Sequence, residues 1–346
     1  MANTLALPHL LSIFIYLFFN ASGQELVVTH APSYVTFQEQ KQTLQTSDVP
    51  HVITHTLGIP SNKEFDWSGL IQGSLFKRPK ANVMISVVGY EGMAENPLKL
   101  QNVAKYPVKN DIPVFDVGSI MNTIQNVFFD KNPLMLDAGI DNNLFDVHTE
   151  FDVFRKLPDT IKKMADRLLD SDSVLHTHTV GTLNTSSHSD LKLMGELQLI
   201  QDVLNTLTDK PELLKSKTPD LFSFTISGLH DIIKKHGHQS TQATDAKQLV
   251  TDFINKATEN FRKLYKDNVV VEVLTITPEA GGYVRKVRSL MEEDYSEDYP
   301  AIFNIILWLM IIMFLSFFAV SYGIWNMDPG RDSIIYRMTS TRLKKD

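Results

Sequence analysis

Over residues 301–322 the alternation of apolar and polar positions stops: AIFNIILWLMIIMFLSFFAVSY carries no charged side chain. At about 1.5 Å per residue this is roughly 33 Å of helix, enough to cross a hydrocarbon layer of about 30 Å. A helix satisfies its own backbone in lipid, and this composition gives no reason to break one. Upstream the period changes repeatedly. Residues 83–88 (VMISVV), 221–226 (LFSFTI) and 269–277 (VVVEVLTIT) are short apolar or β-branched runs that predict strands. Val117, Ile120, Met121, Ile124, Val127 and Phe128 recur at helical spacing, predicting a helix over 117–128 that starts near Asp116. Residues 153–169 and 190–207 repeat that period. Residues 245–265 place Leu249, Phe253, Ala257, Phe261 and Leu264 on one side. Ser227 reads as the N-cap of a helix over 229–235. Strands alternating with helices predict an α/β domain, a mixed layered sheet with helices. Residues 24–62 are less regular and read as a separate extended or β element.

The ends orient the chain. Residues 10–19 are apolar but too short to span, and Ala21-Ser22-Gly23 follows, predicting a signal peptide cut between Gly23 and Gln24. Apart from the amino terminus the n-region offers only His9, so an uncleaved signal anchor is the competing reading. Glu292, Glu293, Asp294, Glu297 and Asp298 precede the long apolar run; Arg331, Arg337, Arg342, Lys344 and Lys345 follow it. The positive-inside rule puts the C-terminus in the cytosol, a type I single-pass topology. The expected parse is a signal peptide at 1–23, a lumenal α/β domain at 24–277, an exposed stalk at 278–299, a transmembrane helix at 300–322 and a cytosolic tail at 323–346.

The chain is 43% hydrophobic with a formal net charge of −7, and no basic face suggests nucleic acid. It contains no cysteine, which excludes thiol chemistry and requires a lumenal domain that folds without disulfides. No nucleophile elbow, phosphate loop or HExxH pattern is present, so no catalytic, cofactor or metal residue is assigned and the chain reads as non-enzymatic. His176 and His178 alternate, so on a strand both would face one side; His236 and His238 form a second pair. Zinc needs three or four ligands, so both pairs read as loop histidines, with a pH response as the next reading.

Asn184-Thr185-Ser186 is a glycosylation sequon in a polar stretch. In the stalk, Arg285-Lys286-Val287-Arg288 matches sites cut by secretory basic-site proteases, and a solvated stalk can thread into such a cleft. The plainer reading is solvated charge. The span has no Asp, Glu, Lys, Arg or His, so it cannot relay protons alone. Asn304 and Ser316 are its polar members; Asn304 either meets interfacial water or bonds a neighbouring helix. Arg342 and Lys344, fifth and third from the end, resemble retrieval signals of early secretory membranes, the alternative being an ordinary basic flank.

The segments FNIILWLMII and YGIWNMDPGRDSIIYRMT closely resemble the C-terminal region of the renin receptor family, also called V-type proton ATPase accessory subunit 2. DWSGLIQGSLFKRPKANVMISVVG, PDLFSFTISGLHDIIKKHG and VVVEVLTI are similar to family segments in matching order. The resemblance implies an accessory subunit of the vacuolar proton pump, linked to its assembly and to acidification of endosomes and lysosomes. Its anchor would pack with the membrane sector, the proteolipid ring and another accessory subunit, with Asn304, Trp308 and Ser316 as expected contact positions. It implies processing at the stalk site, which Arg285 and Arg288 match, and a retrieval ending, which Arg342 and Lys344 match. Residence in endoplasmic reticulum, endosomal, lysosomal and plasma membranes follows, with a shed soluble fragment. Renin, prorenin and Wnt receptor components are the further implied partners; a cell-surface ligand receptor independent of the pump is the alternative.

Overall fold

The computed structural model describes residues 24–38, 43–59, 67–71, 77–89, 98–109, 117–141, 144–276 and 299–327. The chain forms two compact units, Met1–Leu290 and Met291–Asp346.

The first unit is built on an eight-stranded sheet whose strands are β1 (Gln24–His30), β3 (Leu44–Gln45), β5 (Ala81–Val88), β6 (Ala104–Lys109), β7 (Met135–Asp141), β8 (Leu144–His148), β9 (Asp220–Ile226) and β10 (Val269–Ile276). A two-stranded ribbon pairs β2 (Thr36–Phe37) with β4 (Leu70–Ile71). The sheet order is β3-β6-β1-β10-β5-β9-β7-β8. Its centre, β10-β5-β9-β7, is parallel, and the antiparallel strands β1 and β8 flank that centre.

The three central strands β5, β9 and β10 are buried at every position. Such strands need cover on both faces, and the chain supplies it as crossover helices. On one face Val83, Ile85, Val87, Phe222, Phe224, Val271 and Val273 pack under α5 (His188–Asp209), α6 (Gly228–His236) and α7 (Thr241–Leu264). On the other, Met84, Leu221, Val270 and Leu274 join Leu26, Val28 and Tyr106 under α1 (Val49–Leu57) and α2 (Gly118–Val127). Gly58 closes α1 in the left-handed conformation, φ 68°, where its missing Cβ removes the strain. The smaller helices α3 (Ile161–Arg167) and α4 (Val174–Thr177) pack beside α5.

Several sequence expectations need correction. Residues 24–62 are not a separate element: β1 lies inside the main sheet, between β6 and β10. The helical period over 153–169 is interrupted. A 3-10 turn, Phe154–Lys156, ends at Leu157-Pro158, because a residue before proline is pushed to extended backbone; α3 then restarts from Thr160, whose side chain accepts from the Lys163 amide. His176 and His178 are on no strand: α4 turns His176 to solvent, while His178 is its half-buried C-cap. Ser227 is the N-cap residue, as expected, but makes no side-chain capping bond to its own helix, for a reason given below.

The second unit contains α8 (Tyr299–Trp325), which runs three residues beyond the expected end of the span. Within it, Ile302–Trp325 is the one helix among the described residues long and apolar enough to cross a membrane.

Candidate functional site

In parallel α/β sheets, ligands gather where strands end and helix N-termini begin. Here β9 runs through Ser227 into α6, and the position an anionic ligand would take is filled from within the chain. Glu196, on α5 and fully buried, accepts from the Ser227 amide at 3.0 Å and the Gly228 amide at 2.8 Å. The Ser227 hydroxyl donates to Glu196 Oε1 at 2.6 Å, which is why that hydroxyl caps nothing in its own helix. Burial pushes the Glu196 carboxyl up, and Lys192, Ser227 and Gly228 pull it back. The Gly228 position has no room for a side chain: an added Cβ would sit 2.6 Å from the Leu193 backbone.

A second polar lattice fixes α3 and the following loop to α5. Arg167 meets Asp202 at 2.7 Å, Asp172 at 2.7 Å and Asp170 at 3.1 Å. Those hydrogen bonds raise the guanidinium well above its ordinary range and hold Asp172 below the usual carboxylate range. Gln198 accepts from the Val174 amide at 2.8 Å and donates to Asp202 at 2.8 Å. Such saturated geometry positions helices and leaves no free cation for a substrate.

Among the described residues no group of three His, Asp or Glu is arranged to hold a metal. His236 and His238 are exposed. His178 packs on Phe253, ring centroids 5.4 Å apart, and burial first, then Lys256, lowers its pKa.

Gln24 is the first residue of β1, 4% exposed and opposite Val108. Asn184 is exposed in the turn before α5; its Oδ1 accepts from the Ser186 amide at 2.9 Å. Gly23, Arg285, Lys286, Val287, Arg288, Arg342 and Lys344 lie outside the described residues. Asn304 and Trp308 stand one turn apart on the exposed surface of α8. Ser316 is about 120° round from Asn304 by helical geometry. Its hydroxyl donates to Ile312 O at 2.8 Å, so it needs no outside partner. Sequence reasoning missed Ala319 and Gly323, which continue the Ser316 face at i+3 and i+7; a Cβ on Gly323 would meet nothing within 4 Å. The signal available was the run of small residues, which lets a second helix approach closely.

Residues 22–278 match the family model of the renin receptor N-terminal domain, and residues 276–346 match a renin receptor-like transmembrane spanning segment. The chain belongs to the renin receptor family. It is 32% identical to the renin receptors of Homo sapiens and Bos taurus over 339 residues, covering 94% of this chain and 96% and 95% of theirs. It is 26% identical to the ATPase H(+)-transporting accessory protein 2 of Drosophila melanogaster, over 94% of this chain and 95% of that one. No solved structure matches it. The two family matches meet at 276–278, immediately after β10 ends at Ile276. This member of the renin receptor family is therefore a mixed α/β domain joined to one C-terminal membrane-spanning helix.

Proposed function

We propose that the chain is a type I accessory subunit of the V-type proton ATPase, supporting pump assembly and organelle acidification through its membrane helix. The observation that carries the reading is α8: 27 residues without Asp, Glu, Lys, Arg or His, exposed from Ile302 to Met327, in a segment related over its whole length to the family's spanning segment. The name of the Drosophila relative supports the pump association. A neutral helix can pack against a proton-carrying membrane sector without offering a competing proton site. Asn304 and Trp308, with the small-residue face of Ser316, are the contact positions. The reading includes no catalysis, since the strand-end anion position is filled by Glu196.

Around this core stand four further assignments. The signal peptide is cut before Gln24, which leaves β1 whole. Asn184 carries a glycan, its exposed turn being open to a transferase. Secretory basic-site proteases cut after Arg285-Lys286-Val287-Arg288, nine residues or more beyond β10. Arg342 and Lys344 act as a retrieval signal for the endoplasmic reticulum, and mature protein moves on to endosomes, lysosomes and the cell surface.

The test is affinity purification of the full chain from detergent-solubilised membranes. Membrane-sector subunits should co-purify with it. They should be lost when residues 299–325 are exchanged for an unrelated apolar helix; retention after that exchange overturns the contact assignment. The relatives' name, renin receptor, favours a second reading in which the released domain binds renin or its precursor prorenin; a Wnt receptor component enters that reading through the family resemblance alone. Ligand capture that survives the same helix exchange would support it.

A further inference from the structure

Across β10, β5, β9 and β7, one register row on the face covered by α1 and α2 reads Glu272, Met84, Ser223, Asp137. Glu272 is completely buried, as is Asn82, two residues before Met84 on the same face. Their surroundings are apolar: Leu26, Val28, Leu221, Val270 and Leu274 from the sheet, with Ile120 and Ile124 from α2. Among the described residues, neither carboxyl oxygen of Glu272, neither end of the Asn82 amide, nor the Ser223 hydroxyl finds a hydrogen-bond partner. Asn82 is near enough to influence the carboxyl but lacks the geometry of a formed hydrogen bond.

Among the described residues no Lys, Arg or His pairs with Glu272. The titratable groups on the elements packed over this face are Asp137 on β7, Tyr106 on β6, and Asp48, His51 and His55 at the start of α1 and along it; α2 carries none. None of these acts on Glu272. Burial is the main influence and holds the carboxyl up at about 8 against 4.5 in an unfolded chain; Asn82, the second, pulls it back. An ionised carboxylate here would be a buried charge without a counter-ion, the costliest state such a site can take.

We propose that Glu272 is held as the neutral acid in the folded domain, making this an acid-favoured fold whose β10 face loosens when the medium turns neutral to alkaline. The sign follows from linkage. A group raised on folding contributes stability that is complete below its unfolded value and is lost as pH climbs through its folded one. The window is therefore pH 4.5 to about 8. Asp220, Asp202 and Glu196, also raised by burial, act in the same sense. His30 and His178, lowered by burial, act in the opposite sense below their ordinary value of 6.5. Only a change at Glu272 itself isolates its part. The inference does not depend on pump association.

The experiment is urea unfolding of the full chain in detergent at pH 5 and pH 7.5, wild type against Glu272→Gln. Between these pH values the wild-type unfolding constant should rise on the order of a hundredfold more than that of the variant. Equal pH dependence in the two proteins overturns the proposal. If Glu272→Gln does not fold, Glu272→Leu replaces it. If neither folds, wild type and Glu196→Gln, each labelled with carboxyl-¹³C glutamate, are titrated by NMR: a glutamate changing protonation near pH 8 in both proteins supports the proposal, and none doing so above pH 6 in Glu196→Gln sinks it.

Discussion

Glu196 shows how one side chain decides what a strand end can do. Its carboxylate serves two backbone amides and a hydroxyl at the start of α6, so truncation leaves one buried and two partly buried donors without that acceptor. Glu196→Ala should cost roughly 2–4 kcal/mol of stability, read from the urea midpoint at constant pH. A change below 1 kcal/mol would mean that water replaces the carboxylate freely. This contact could not be read from sequence, because 31 residues separate Glu196 from Ser227 and nothing local links them. Glu272 was half legible. An acid inside VVVEVLTI is visible as an oddity, but the absence of a counter-ion depends on β1, β5 and β9, which only folding brings alongside. His178 departs from the exposed-loop reading for a similar reason: Ser173 and Val174 start a helical turn whose Val174 amide is held by Gln198 of α5, and this leaves His178 half-buried at its end.

At the scale of elements, legibility follows burial. The fully buried strands β5, β9 and β10 announce themselves as unbroken apolar runs and α5 and α7 as long periodic ones, while α8, exposed, is legible as a single long apolar run. β6 (AKYPVK) and β7 (MLDAGID) carry proline, lysine, aspartate or glycine and escape notice, because each is placed by its neighbours rather than by its own propensity. Helix contacts also hide in single glycines. An added Cβ at Gly228 would strike Leu193 main-chain atoms at 2.6 Å, which cannot swing aside like a side chain. Gly228→Ala should therefore separate α5 from α6 and cost roughly 1–3 kcal/mol, seen as a lower melting temperature. In α8 the prediction is the reverse. Gly323 has open space around it, so Gly323→Leu should leave membrane insertion and expression unchanged while reducing co-purification of pump subunits. Unchanged recovery would remove the small-residue face from the proposed contact.

At the scale of the whole molecule, the question is what processing between the two units would change. Both hydrophobic clusters of the first unit are composed of residues from 26 to 276, and the last strand, β10, is held by β1 and β5 on its two sides. Among the described residues, a cut after Arg288 would therefore remove no side chain of these two clusters and no partner of these strands. The released domain should keep the melting temperature and the acid preference of the uncut chain, because its described core and strand pairings are complete by Ile276. The comparison is between wild type, which should yield a secreted fragment ending at or before Arg288, and Arg285→Ala/Arg288→Ala, which should remain whole in the membrane. Purified fragment and uncut variant should unfold at the same temperature at pH 5 and shift together at pH 7.5. A fragment that melts markedly lower would mean that the segment after Ile276, or the membrane helix, lends stability to the domain, and shedding would then be a route to its unfolding rather than to a soluble ligand-binding form.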